Sequence, residues 1–338
     1  MINSKGKRIN WVDQFKGFGI ILVIYGHNLP IIESYIYSFH MPLFFFLGGF
    51  FHPKDFNFKV VKKRAKQILI PYFLWSSLLF LFWFFIGRKF GDSVELNYSP
   101  VKNLIGIFYA QGDHDYMDWG VPLWFLPAIF FTFLFFGFVR RIKNRGYQIC
   151  SLLALITIGF LVPVFLKTHI IWSLDVSLVS MFFYSFGFYL KNFWFKKKYK
   201  NELLFILVLL VFHAICSIFL IEKVDMYRSI YGNEFLFLLN ACIAIIFWLL
   251  IFKNINNVKP LIFFGKNTIP VLALHIRTVT IIKLFLLIIW GTKIFNFNEI
   301  EKIILVVFQL AILYPVIILI NKFSPILNGK KKTLETRN

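Results

Sequence analysis

The chain has 338 residues, 59% of them hydrophobic, 20% aromatic and only 16% charged, with a mean hydropathy of +0.71 and a formal net charge of +21. So little polar surface excludes a soluble domain of this length and predicts an all-α polytopic membrane protein. Cys150, Cys216 and Cys242 stand singly in apolar runs, so neither a disulfide framework nor a metal site is expected.

Ten apolar runs are each long enough to cross a hydrocarbon layer. Their approximate limits are 17–32, 36–52, 68–88, 121–139, 147–166, 170–190, 203–221, 234–252, 268–290 and 303–321. With both termini cytoplasmic, the inside segments hold 26 Lys and Arg and the outside loops 8, while 11 of the 16 acidic residues lie outside. A bias that holds over ten spans sets the orientation, and it turns the basic excess toward anionic lipid or an anionic soluble ligand and away from nucleic acid. A single membrane domain over 1–338 is expected, with a basic cytoplasmic tail from about 322, no extracellular domain and a multi-pass place in the plasma (inner) membrane. The first run carries His27 and no small-residue cleavage site follows it, so it does not read as a cleavable signal. Proline interrupts several spans, at Pro30, Pro71, Pro127, Pro163, Pro270 and Pro315, and breaks near Pro30 and Pro270 would open a cavity beside histidines.

In the first span, Asp13, Lys16 and His27 fall on one helical face, with His27 about 16 Å along the axis from Lys16. That places the imidazole at or beyond the middle of the layer, where an unpartnered polar group costs several kcal/mol. It must face a cavity or a polar partner, or be hydrogen-bonded within the bundle for packing. Gly19 and Gly26 fit close helix packing. The second span opens with His40 in its outer third and gives Gly48 and Gly49 to helix contact. Lys59, Lys62, Lys63, Arg64 and Lys66 then form the densest cytoplasmic cluster, a positive-inside anchor that also suits an anionic phosphate-bearing cosubstrate. Trp124, within Pro-Leu-Trp-Phe-Leu-Pro, lies at the external interface. His213 and Asn240, single polar residues in apolar spans, are expected to make interhelical hydrogen bonds. The ninth span begins with Lys266 and Asn267 and carries Thr268 and His275 on one face. Arg277 points away from His275, and Asp175 is its expected carboxylate partner.

Four segments, "WVDQFKGFGIILVIYGH" (11–27), "FHMPLFFFLGGFF" (39–51), "PLWFLPAIFF" (122–131) and "FFGKNTIPVLALH" (263–275), follow in order across nearly the whole chain. Together they resemble the integral-membrane acyltransferase-3 family, and within it the branch of fucose 4-O-acetylase-like sugar O-acetyltransferases. The resemblance implies about ten transmembrane helices, cytoplasmic acyl-CoA as donor, acetyl-CoA in the first instance, and a sugar, lipid-linked sugar or polysaccharide of the cell envelope as acceptor. It also implies that His27 is the catalytic histidine and general base, with Asp13 and Lys16 completing the catalytic signature by positioning the donor or supporting the helix start. Lys63, Arg64 and Lys66 match the loop that holds the CoA phosphates, and His40, Trp124, Asn267 and His275 are cavity or acceptor-binding candidates. No permanently bound cofactor and no metal are implied. Lys16 stands where many relatives carry arginine and lacks its bidentate fork. Gly48 replaces a serine common in the second signature, which argues against an acyl-enzyme there. The competing reading is a carrier or flippase for an anionic solute or lipid-linked sugar, with the histidines as proton relays; the absence of a visible inverted repeat counts weakly against it.

Overall fold

The computed structural model describes residues 9–89, 92–194, 202–217, 222, 224–291 and 295–330. The seventh expected span beyond residue 217, and residues 331–338 of the basic tail, lie outside the described residues. The described residues are mainly helical: α1 (Asn10–Gly26), α2 (Glu33–Tyr37), α3 (His40–Phe50), α4 (Phe58–Phe85), α5 (Asp92–Glu95), α6 (Pro100–Tyr109), α7 (His114–Met117), α8 (Phe125–Val139), α9 (Arg145–Leu166), α10 (Leu174–Trp194), α11 (Glu202–Ile215), α12 (Glu234–Asn254), α13 (Lys259–Gly265), α14 (Thr268–Trp290) and α15 (Glu299–Phe323). Among the described residues, seven helices are long and apolar enough to cross a membrane. Only such self-satisfied helices suit apolar runs of this length, because every backbone N–H and C=O is paired within its own segment. The fold is that of an all-α polytopic membrane protein.

Among the described residues, ten legs, α1, α2–α3, α4, α8, α9, α10, α11, α12, α14 and α15, alternate between two ends of the bundle. Loops rich in Lys and Arg meet at one end: Arg141 donates to Phe56 O (3.1 Å), Val258 N to the Gln14 side chain and Asn328 to Asn267 (2.7 Å). Acidic loops meet at the other, where Trp83 donates to Asp118 (2.6 Å), Ser229 to Asp175 (3.0 Å) and the Ile31 amide to Glu299 (3.1 Å). The first and last described segments both lie at the basic end. Asparagine side chains cap the helices that start after loops: Asn57 on α4, Asn144 on α9, Asn233 on α12 and Asn298, in a capping box with Glu301, on α15.

Two expected spans are shorter than their apolar runs. Helix α1 ends at Gly26 and not near 32, and the second leg is split, with a turn of helix over Glu33–Tyr37 and then α3, whose 11 residues rise only about 16 Å. Pro30 lies in the turn after α1, whereas Pro270 sits in the first turn of α14 and does not break it. The gap at the acidic end therefore comes from the short α1 and the α2–α3 break.

Backbone-to-backbone contacts set the frame around that gap. A Cβ on Gly17 would overlap Leu261 O and one on Gly265 would overlap Asp13 O, so α1 and α13 touch through glycine on both sides. Helices α3 and α10 do the same, with Gly49 against Tyr184 O and Gly187 against Phe46 O. Gly49→Ala is expected to destabilise the fold by about 1–3 kcal/mol through overpacking. Thermal melting in detergent checks this against Gly87→Ala, whose new Cβ meets nothing closer than 3.4 Å; equal melting temperatures for the two would show that α3 and α10 can move apart at no cost.

Candidate active site

Each shortened helix ends in a histidine. His27 caps the C-terminus of α1, its amide donating to Val23 O (3.2 Å), and His40 is the first residue of α3. Between them lies a cavity of about 480 Å³, counting space open to the exterior, bordered by His27, His40, Tyr37, Trp124, Asp225 and Tyr227. His27 is exposed to this space, and no hydrogen bond from a described residue fixes its ring. His40 is buried, with Nδ1 2.8 Å from Ile36 O, and its ring lies 4.9 Å from that of Tyr37. A second, apolar cavity of about 300 Å³ shares Val23, Met41 and Leu272 with the first and runs along α1 past Ile20 to Thr268 and Ile269 at the start of α14. The two cavities adjoin, so empty space follows α1 from His27 toward the basic end.

His275 stands beside His27, with ring centroids 5.0 Å apart. It is fully buried, and its Nδ1 lies 3.0 Å from both Val271 O and Leu272 O. Carbonyls only accept, so Nδ1 carries the proton and Nε2 is a bare lone pair. That Nε2 is buried with no hydrogen-bond partner among the described residues. Gln309, in the middle of α15, donates to His275 O (3.0 Å) and accepts from Asn28 Nδ2 (2.8 Å), linking the residue after His27 to the backbone of its neighbour. The turn that follows is held as well. Leu29 has a positive φ of 53°, and its carbonyl accepts from Lys302 Nζ (2.8 Å), while Lys302 also pairs with Glu299 at 2.7 Å.

The other residues singled out by sequence are spread over the molecule. Trp124 and His40 share the cavity with His27, and His275 stands behind it. Asp13 and Lys16 do not: they pair at 3.8 Å at the basic end of α1, with Lys16 about 16 Å and Asp13 about 21 Å of helix from His27, out of its reach. Asn267 is likewise removed from the cavity. It caps α14 at the basic end, where its Oδ1 accepts from Asn321, Asn328 and Lys330. Lys63 and Lys66 are exposed at that end, but Arg64 turns inward, 5.9 Å from the Phe133 ring, with a buried Nε that has no hydrogen-bond partner among the described residues. Arg277 does not pair with Asp175. Its guanidinium donates to Asp118 O (3.2 Å) and Trp119 O (2.6 Å), and Asp175 meets His169 (3.3 Å) and Ser229 instead. The expected interhelical bond is present, with His213 Nδ1 2.8 Å from Asn240 Oδ1. Sequence reasoning missed Tyr37, Asp225, Tyr227 and Gln309. Only Gln309, a lone amide within an apolar run, carried a signal that could have found it.

Loop residues between α4 and α8 cover the acidic end, and Asp118 is their knot. It accepts from Trp83 Nε1 and Ser93 Oγ, and its amide donates to Asn103 Oδ1 (2.9 Å). Burial is the largest single influence on its carboxyl and opposes ionisation, but hydrogen bonds from His114, Ser93 and Trp83 together outweigh it and hold the group below the usual carboxylate range.

Two legs of the bundle thus stop short and leave a histidine facing a cavity. The acyltransferase-3 family, described as an acyltransferase domain, matches residues 9–322, and the chain belongs to that family as a multi-pass membrane acyltransferase. No curated protein and no solved structure matches it.

Proposed function

We propose that the protein is an O-acyltransferase of the plasma membrane that moves an acyl group, acetyl in the first instance, from cytoplasmic acyl-CoA to a hydroxyl of a cell-envelope sugar, lipid-linked sugar or polysaccharide, as in the fucose 4-O-acetylase-like branch. The observation that carries this is the placing of His27: exposed in a cavity bordered by loops of the acidic end, and adjoined by an apolar passage directed to the basic end. The donor's slender thioester arm reaches His27 through that passage, while Lys63, Lys66 and Arg64 supply charge at the basic end for its phosphates. Asp13 and Lys16 support this end of α1 and the donor that passes it.

The acceptor comes from the other side. His27 removes the hydroxyl proton as the oxygen attacks the thioester carbonyl; the C–S bond breaks, and the proton passes from His27 to the departing thiolate, giving the ester and free CoA. An imidazole can take a proton in one step and return it in the next, which suits both, and the reaction proceeds by direct transfer in a ternary complex. The test supplies labelled acetyl-CoA and a panel of envelope sugars to purified protein in lipid. Label on a sugar with equimolar release of CoA is expected. Proton-coupled uptake of a sugar or anion into vesicles, with no binding of CoA, would replace the enzyme by a carrier.

A further inference from the structure

The cavity's outer wall has a chemistry of its own. Residues 224–231 fold back on themselves, Asp225 N donating to Ile230 O (2.7 Å) and Ile230 N to Asp225 O (3.0 Å), around a single turn at Met226–Arg228. The fold-back places Asp225 and Tyr227 on the cavity. Tyr227 lies 6.5 Å from the Trp124 ring at an interplanar angle of 34°, and Gly112, at φ +92°, lies against both: a Cβ there would stand 3.2 Å from each. The pair is thus clamped from behind by a residue whose backbone conformation favours glycine. Asp225 is mostly buried, with its carboxylate 3.9 Å from Arg228 Nε, and Arg228 is over half exposed on the outer side. Asp225 is the carboxylate on the cavity lining, and Glu33 acts electrostatically on Tyr37 and Asp113 on Tyr227, so further negative charge lies around this wall.

Resting on the sugar-acceptor reading, we infer that the ring to be acylated is an uncharged, hydroxyl-rich one seated on this fold-back: Asp225 accepts hydrogen bonds from hydroxyls beside the reacting one, and Trp124 and Tyr227 take the ring's C–H face. Hydroxyl donors to a carboxylate make strong charge-assisted bonds, and aromatic rings offer broad apolar area. A ring bearing its own carboxylate or phosphate meets like charge where water is scarce, and is rejected. Asp225 is thereby a specificity residue, distinct from the base at His27.

Matched methyl glycosides test this, methyl glucoside against methyl glucuronide and methyl galactoside against methyl galacturonide, each with labelled acetyl-CoA and the full chain in lipid. The neutral member of at least one pair is expected to be favoured tenfold or more in kcat/KM. Asp225→Asn should raise the sugar KM about tenfold and narrow the neutral-to-acidic ratio, with the acetyl-CoA KM within twofold of wild type. Tyr227→Leu, which leaves the carboxylate in place, should raise the sugar KM with the ratio kept, and it decides the matter alongside the wild-type ratio if Asp225→Asn does not fold. A preference for the uronides, an unchanged sugar KM in both variants, or acetyl-CoA binding with no glycoside labelled would each overturn the inference and leave the donor side standing. Failure of wild type to bind acetyl-CoA would instead overturn the proposed function itself.

Discussion

His27→Ala is expected to lower acyl transfer by about 10²–10⁴-fold, the range over which a positioned general base acts. The variant should still fold and still bind acetyl-CoA, because the ring it loses faces the cavity and is tied by no hydrogen bond from a described residue. Loss of packing and loss of chemistry therefore separate cleanly here, as they would not for the buried His40 or His275. Single-turnover label transfer, read beside CoA affinity and melting temperature, makes the distinction. Wild-type transfer by the alanine variant would remove His27 from the mechanism, whatever the cavity looks like.

What the sequence discloses about this site follows from which forces are local. His27 stands out in a run such as Phe18–Tyr25 because a titratable group at membrane depth needs a cause, and helical spacing already separates it from Lys16. The alternation of basic and acidic loops likewise reports the order of the ten legs, since each loop's charge is local to it. Helix ends are different. The run from 17 to 32 stays mainly apolar past Gly26, so hydropathy continues where the helix has stopped, and the stop is set by Lys302 and Glu299 from the far end of the chain. The same reason explains Arg277. Depth alone made Asp175 a fair partner, but the choice between it and the carbonyls of Asp118 and Trp119 rests on how the loops before α8 fold over α14. Asp225 and Tyr227 lie in a polar external loop, where such residues are ordinary, and only the fold-back of 224–231 turns them toward His27.

His275→Ala is expected to cost about 10²-fold in kcat with little change in either KM, comparable to losing one preorganised hydrogen-bonding group at a reacting centre. Its Nδ1 proton is committed to Val271 O and Leu272 O, so the buried Nε2 can only accept. The His27 ring lies 5.0 Å away centre to centre, and no hydrogen bond from a described residue holds it. If His27 donates one N–H to that lone pair, its other nitrogen is left as the base, and the tautomer needed for attack is held in place. Substitutions separate this role from packing. Gln keeps an acceptor oxygen and should recover part of kcat, whereas Leu fills the space with no acceptor and should behave like Ala. Leu matching wild type would make His275 a filler of the α14 interface. Gln rescuing where Leu does not would tie its lone pair to the proton transfer, and Gln309→Leu, which releases His275 O, should then show a weaker form of the same loss.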